Sequence, residues 1–139
     1  MIKLYTWSTP NGMKIQLMLE ECALPYEIVP VNLGAKQQHS REFLAINPNG
    51  KIPAIVDLDG PNGSLFTLWE SGAILMYLSE KSKRFVPLDA ADRHHVHQWI
   101  MFQMSSVGPM IGQFHHFTSS APEPLPYAIE RYRAEGVRL

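Results

Sequence analysis

The stretch Thr9-Pro10-Asn11-Gly12-Met13-Lys14-Ile15 marks the change from a short apolar strand to the first helix of the chain. The residues before it, Ile2 to Trp7, are apolar on both faces, which is typical of a strand inside a sheet covered by helices. From Met13 onward apolar residues recur at helical spacing. A hydroxyl and an amide side chain therefore lie beside the unpaired N–H groups of a helix start, a suitable place for an anion or a thiolate.

The composition is that of a globular protein and excludes several classes of function. The chain has 139 residues, 45% of them hydrophobic and 18% charged, with a net charge of −1. This balance gives no general attraction to nucleic acid or an anionic membrane, and no apolar run reaches the ~18 residues of a membrane span. Cys22 is the only cysteine, so an intrachain disulfide and a thiolate metal cluster are excluded. We expect a reducing, cytoplasmic setting.

The first eighty residues predict a sheet covered by helices. A βαβ unit supplies parallel strands, and a later hairpin supplies antiparallel ones. Ser40 is the predicted N-cap of a short helix, Arg41 to Ile46. The predicted strands are 2–7, 26–31, 54–58 and 64–68, and further helices begin near 13 and 71.

The rest of the chain predicts helices only. Residues 81–88 mix charge with a proline and are predicted to be a linker. Residues 89–108 predict one long helix stopped by Gly108-Pro109, residues 112–126 an irregular segment, and residues 127–138 a last helix. Two or three helices bury little apolar surface by themselves. We therefore expect this part to pack against the first domain, a partner subunit or further sequence.

Two motifs accompany the first turn: Lys51-Ile52-Pro53-Ala54-Ile55 before the third strand and Glu70-Ser71-Gly72-Ala73-Ile74 at a helix start. Together with Thr9-Pro10-Asn11-Gly12, in this order and spacing, they resemble the glutathione-binding domain of glutathione transferases. With Gly108-Pro109-Met110 and His115-His116-Phe117 downstream, the chain is similar to the nu class and to relatives of a fungal nitrogen regulator. The similarity is strong over the first domain and covers only part of the second.

The resemblance implies an α/β fold in two domains. Residues 1–80 would form a thioredoxin-like glutathione-binding domain, residues 81–88 a linker, and residues 89–139 a partial all-helical C-terminal domain. Because family members have a larger second domain, we expect this chain to be a truncated member. Truncation would affect both its activity and the homodimer that the family implies.

The resemblance also assigns parts of glutathione to these motifs. In the family Ile52-Pro53 is a cis bond, which exposes the backbone of Ile52 to pair with the cysteinyl unit like an added strand. Ser71 suits the γ-glutamyl carboxylate, and Glu70 its ammonium group. Apart from the family, a trans X–Pro bond is the commoner case for Ile52-Pro53, and a helix N-cap with an acidic first turn is the commoner case for Glu70 and Ser71.

Three further residues are candidate glutathione contacts. Gln38 and Lys51 lie beside the predicted groove and would contact the glycyl end, although a solvated loop would show the same residues. Arg131 matches an arginine that contacts glutathione from the helical domain in nu-like members. An exposed helical arginine is the alternative for Arg131.

Thr9 and Asn11 are the candidates for handling sulfur. A free thiol has a pKa of ~8.5, so a hydroxyl, an amide and a helix start that favour the anion would raise the thiolate fraction at neutral pH. The alternatives are a plain helix-start turn and Ser8 as the sulfur contact. Other classes use a tyrosine near the first strand, but Tyr5 lies in an apolar run and is predicted to be core.

Neither the cysteine nor the histidines predict a site. Cys22 lies on the apolar stripe of the first helix and is expected to be a core residue. His94 and His97 share one helix face, but neighbouring carboxylates or thiols do not complete a ligand set. We predict no metal.

The function implied is that of a glutathione-dependent disulfide-bond oxidoreductase. Bound glutathione thiolate would attack a disulfide, and a second glutathione would resolve the mixed species. Conjugation of glutathione to electrophiles, peroxide reduction, and a non-catalytic glutathione-binding regulator are the alternatives. The expected partners are glutathione, glutathione disulfide and a small disulfide or electrophile.

Overall fold

A four-stranded mixed sheet organises the first part of the protein. The computed structural model describes all 139 residues, which form two units, Met1–Val86 and Pro87–Leu139. The elements of the first unit are β1 (Ile2–Thr6), α1 (Pro10–Glu21), β2 (Tyr26–Pro30), α2 (Arg41–Ile46), β3 (Ala54–Asp57), β4 (Phe66–Trp69) and α3 (Ser71–Ser82). The strand order is β2-β1-β3-β4, with β1 parallel to β2 and antiparallel to β3, which pairs antiparallel with β4. The predicted parallel half and antiparallel hairpin are confirmed.

The core of this unit lies on both faces of the sheet. Alternation along β1 sends Ile2 and Leu4, 1% and 0% exposed, to one face, where α1 and α3 supply apolar side chains. Tyr5 points to the other face and packs with Phe43 of α2. Cys22, which follows α1, is 6% exposed and accepts a hydrogen bond from the Ser82 hydroxyl at 3.2 Å. The core roles predicted for Tyr5 and Cys22 are confirmed.

Ser40 caps α2 as the sequence predicted. Its Oγ accepts a hydrogen bond from the Phe43 N–H at 3.2 Å, and Phe43 is buried. We expect Ser40→Ala to lower the free energy of unfolding by about 1 kcal/mol, because one N–H at the helix start loses its acceptor. Urea unfolding measures this. Ser64→Ala is the control, since Ser64 is exposed, and an equal loss in both variants would contradict the capping role.

A buried carboxylate ties the sheet to α3. Asp57 is 0% exposed, and it accepts hydrogen bonds from the Tyr77 hydroxyl at 2.6 Å and the Asp59 N–H at 2.9 Å. The Lys81 ammonium lies 3.0 Å away. Burial by itself would raise the pKa of Asp57, but these donors outweigh it and hold the pKa below its usual value. Burial and the same carboxylate raise the pKa of Tyr77, so this phenol remains protonated.

The second unit is entirely helical. Its elements are α4 (Ala90–Phe102), a π-helical segment (Gln103–Val107), α5 (Gly108–Ser119) and α6 (Pro126–Arg138). The predicted stop at Gly108-Pro109 and the predicted irregular segment from 112 are wrong, because α5 starts at Gly108 and covers most of that segment. Pro109 lies in the first turn of α5, which follows the π-helical segment directly, so this proline does not end the helical path.

None of these three helices contains a buried residue, in keeping with the small core predicted for this part. Phe117 of α5 and Tyr132 of α6 stack with ring centroids 5.6 Å apart. The predicted domain limits stay a prediction; α3 continues to Ser82, two residues into the proposed linker. No helix of either unit combines the length and apolar character needed to traverse a bilayer.

Candidate functional site

Thr9 is the N-cap of α1 and fixes where the helix begins. Its backbone is extended, and its Oγ1 accepts a hydrogen bond from the Gly12 N–H at 3.4 Å. The helix starts at Pro10, three residues before the predicted start, because a proline is well suited to the first turn. Asn11 is therefore an exposed residue of that first turn. A hydroxyl that accepts the capping bond still has its own proton to donate.

Gly12 lets this turn lie against the end of β1. A Cβ at position 12 would be 2.0 Å from the Thr6 Oγ1 and 2.9 Å from the Trp7 carbonyl oxygen. Both distances are far below contact distance, so only glycine fits without a shift of the helix or the strand. This requirement was not predicted from the sequence, where a glycine three residues after the N-cap is the only signal of it.

The segment between α2 and β3 contains the proline motif. The Ile52-Pro53 peptide bond is cis, as the resemblance implied. Pro53 is buried and Ile52 is half-buried, while Lys51 is exposed. Sheet pairing begins only at Ala54, so the backbone of Ile52 takes no part in the ladder between β1 and β3.

The third motif lies at the start of α3. Glu70 is exposed and has a φ of 71°, a backbone conformation that non-glycine residues rarely adopt. It precedes the helix without making a side-chain capping bond, and Ser71, 4% exposed, is the first helical residue. The alternative of a side-chain N-cap followed by an acidic first turn is therefore wrong.

Strand register brings the three motifs to one end of the sheet. Ala54 pairs with Tyr5 on one side and with Trp69 on the other. Thr9 follows β1, Ile52-Pro53 immediately precedes β3, and Glu70 immediately follows β4. Segments that lie far apart in sequence thus meet around the first residue of β3.

Lys14 links the first and third motifs electrostatically and was missed in the sequence analysis. Burial lowers the pKa of the Lys14 ammonium, and the nearby Glu70 carboxylate partly offsets that shift. Lys14 projects from α1, one turn beyond Pro10. The beginning of α1 therefore contributes a cation and the residue before α3 a carboxylate, and the two charges interact.

Gln38 lies beside the proline segment. It belongs to a short 3₁₀ turn, and its Oε1 is buried with no hydrogen-bond partner. A Cβ on Gly50 would lie 3.3 Å from the Gln38 carbonyl oxygen, so this turn packs closely on the residues before Lys51. An unpaired buried acceptor costs about 1–3 kcal/mol, which a donor from a ligand would offset.

The remaining candidates lie elsewhere or stay open. Ser8 is exposed and lines a hollow of about 360 Å³ with Trp7, Met13 and Ile28. Arg131 is an exposed residue of α6, in the second unit, and its role stays a prediction. His94 and His97 have ring centroids 6.2 Å apart, and no three His, Cys, Asp or Glu residues are grouped so that they could hold a metal ion.

Comparison with known proteins identifies the family. Residues 1–80 match the glutathione S-transferase N-terminal domain, and the chain belongs to the glutathione S-transferase family. It is 51% identical over 142 residues to the disulfide-bond oxidoreductase YfcG of Escherichia coli, a match covering 100% of this chain and 65% of that protein. It is 37% identical to the protein URE2 of Eremothecium gossypii, covering 95% of this chain and 38% of the other.

Solved structures of relatives share the fold. A glutathione transferase family member from Pseudomonas fluorescens, with two glutathione bound, superposes with a TM-score of 0.95 at 45% identity, covering 99% of this chain and 61% of that chain. A glutathione transferase from Pseudomonas putida, with one glutathione disulfide bound per subunit, also gives 0.95, at 44% identity, covering 99% and 60%. This chain thus spans less than two-thirds of the length of these relatives. The predicted thioredoxin-like fold followed by helices, and the branch of the family, are confirmed.

Proposed function

We propose that this chain binds glutathione at the end of the sheet where the three motifs meet and acts as a glutathione-dependent disulfide-bond oxidoreductase. The observation that carries the proposal is the register that pairs Ala54 with both Tyr5 and Trp69. This register brings a helix start, a segment of backbone outside the sheet ladder and a second helix start to one end of the sheet. The relatives with bound glutathione or glutathione disulfide support this choice of ligand.

Each part of glutathione has a candidate partner. The backbone of Ile52 would pair with the cysteinyl unit as an added strand. The start of α3 with the Ser71 hydroxyl would hold the γ-glutamyl carboxylate, and the exposed Glu70 its ammonium group. Gln38 and Lys51 would contact the glycyl end. Arg131 stays the candidate that the family resemblance names in the helical part of the chain.

Thr9 and Asn11 would stabilise the sulfur as a thiolate. The Thr9 hydroxyl accepts from Gly12 N–H, so the proton that it retains is the one it would donate to sulfur. The exposed Asn11 amide and the start of α1 would add two further dipoles that favour the anion. None of these groups is a base, so the proton of the thiol leaves to solvent.

The reaction needs two glutathiones. The first thiolate attacks one sulfur of the disulfide, forming a mixed disulfide and releasing a thiolate that takes a proton from water. The second glutathione thiolate attacks the mixed disulfide at the glutathione sulfur, releasing the other thiol and glutathione disulfide. The two electrons come from the two glutathiones, since the only cysteine, Cys22, is buried against Ser82. A homodimer and a reducing cytoplasmic setting complete the proposal.

Thr9→Ala and Asn11→Ala are the direct tests. We expect each to raise the pKa of bound glutathione by about one unit, which lowers the thiolate fraction by about tenfold at pH values well below that pKa and by less near it. The pH dependence of thiolate ultraviolet absorbance in the complex measures the pKa, and a glutathione-coupled disulfide reduction assay measures the rate.

Ser8→Ala is the matched comparison for these variants. If Ser8→Ala raises the pKa of bound glutathione and Thr9→Ala leaves it unchanged, then Ser8 and not Thr9 contacts the sulfur. Binding of both glutathione and its disulfide without turnover would leave a glutathione-binding regulator. If calorimetry shows binding of neither form, the proposed function is wrong.

A further inference from the structure

Asn47, directly after α2, is the most thoroughly bonded polar residue near the proposed site. It is only 2% exposed. Its backbone N–H donates to the Phe43 carbonyl at 2.8 Å, and its backbone carbonyl accepts from the Gly50 N–H at 2.9 Å. Its Oδ1 accepts from the Asn49 N–H at 2.9 Å, and its Nδ2 donates to the Lys51 carbonyl at 2.6 Å. Both ends of its side chain are therefore committed to the segment that leads to Ile52.

The bond to Lys51 fixes one particular peptide plane. The carbonyl of Lys51 and the N–H of Ile52 belong to the same planar peptide unit, and in a trans unit they point in opposite directions. Since Asn47 holds the carbonyl on its own side, the Ile52 N–H must point away from Asn47. Residues 47–53 belong to no helix or strand. The Asn47 side chain, and not a hydrogen bond between strands, therefore holds the Lys51 carbonyl in place.

We propose that Asn47 is a positioning residue for the glutathione site, which aims the Ile52 N–H at the carbonyl of the cysteinyl unit by holding the Lys51 carbonyl. This inference rests on the proposed function. It adds Asn47, which would contact no part of glutathione but would control the orientation of Ile52, which does contact it. A backbone donor that is already oriented binds more tightly because little conformational freedom is lost on association.

The chemistry at position 47 explains why asparagine is needed. Aspartate has the same size and keeps the acceptor for the Asn49 N–H, but it would face the Lys51 carbonyl with a second acceptor and push it away. Serine is too short to reach that carbonyl and would leave it unpaired. Only a side chain with an acceptor and a donor at this reach satisfies both backbone groups.

Asn47→Asp tests the proposal in the full chain. Calorimetry with reduced glutathione measures affinity, and amide nuclear magnetic resonance follows the Ile52 N–H during the titration. We expect a large shift of the Ile52 amide in the unsubstituted chain, and in Asn47→Asp a much smaller shift and an affinity lower by about tenfold or more, because a misdirected donor no longer meets its acceptor. Shifts at Asn11 should persist in the variant, since α1 is unchanged.

Tyr77→Phe is the stability control. It removes a hydrogen bond to Asp57 in the fold while leaving the segment 47–53 intact, so thermal stability should fall without loss of affinity. If Asn47→Asp binds within about twofold of the unsubstituted chain, or if Tyr77→Phe loses as much affinity at equal stability, the positioning role is wrong. If the unsubstituted chain binds no glutathione, the proposed function fails and this inference fails with it.

Asn47→Ser provides a second variant should the aspartate chain fail to fold. Its hydroxyl can still accept from the Asn49 N–H, so the turn is preserved while the Lys51 carbonyl loses its donor. The same loss of affinity and of the Ile52 shift is expected. Unchanged binding in a folded Asn47→Ser chain would overturn the proposal.

Discussion

Gly12→Ala is expected to lower the free energy of unfolding by about 3 kcal/mol, because one methyl group would be forced into a fully occupied space. The added Cβ would lie 2.0 Å from the Thr6 Oγ1 and 2.9 Å from the Trp7 carbonyl oxygen. Thr6 is buried at the end of β1, so it has little room to move. Either α1 moves away from the strand or the first turn unwinds, and both changes would displace Thr9 and Asn11.

Urea unfolding of Gly12→Ala measures the loss, with glutathione binding as a second readout. Gly112→Ala is the matched control, since Gly112 is also helical and nothing lies within 4 Å of a Cβ built there. That control should be neutral or up to about 1 kcal/mol more stable, as alanine costs less backbone entropy than glycine in a helix. If Gly12→Ala is as stable as the unsubstituted chain, the prediction is wrong, and the end of β1 shifts at little cost to accept the added methyl group.

Asp57→Ala is expected to cost about 3–5 kcal/mol, the range found when one partner of a buried charged network is removed. The Tyr77 hydroxyl and the Asp59 N–H would lose their acceptor, and Lys81 its counter-charge. The double variant Asp57→Leu, Tyr77→Phe should recover part of the loss, because it removes the buried donor as well as the acceptor. A double variant that is less stable than Asp57→Ala would contradict this account.

The same carboxylate predicts how stability depends on pH. The pKa of Asp57 is lower in the folded chain than in the unfolded chain, so its contribution is complete above the unfolded pKa of about 3.9 and is lost as the pH falls toward the folded value. Urea midpoints of the unsubstituted chain should therefore fall steeply below about pH 4. Asp57→Asn should show a shallower fall, and parallel curves would assign the acid sensitivity to other groups.

Features with local signals could be predicted from the sequence. Ser40 caps α2 through a bond only three residues long, and the hairpin between β3 and β4 follows from its turn residues. Pro109 misled the prediction because a proline that ends one helix and a proline that opens the next are locally alike. The helix α5, which contains Pro109 in its first turn, was therefore missed.

The three motifs of the site could be found in the sequence, but that they lie at one end of the sheet follows from the strand register. Asp57 and Tyr77 are twenty residues apart, and their contact depends on how α3 packs on the sheet. Asn47 begins a turn that the sequence predicts. Its hydrogen bond to the Lys51 carbonyl, however, depends on the path of the backbone, which the spacing of apolar residues does not predict. The unpaired Oε1 of Gln38 is likewise a product of packing.

The dependence on register has a consequence for which insertions and deletions the chain can tolerate. Because strand side chains alternate with a period of two, one residue added inside β3 would exchange its two faces and move Ala54 out of line with Tyr5 and Trp69. One residue added between Asp57 and Phe66 would lengthen a surface turn and leave those pairs in place. Variation in length should accordingly accumulate at the far end of the hairpin, while the spacing from Ile52 to Asp57 stays constant.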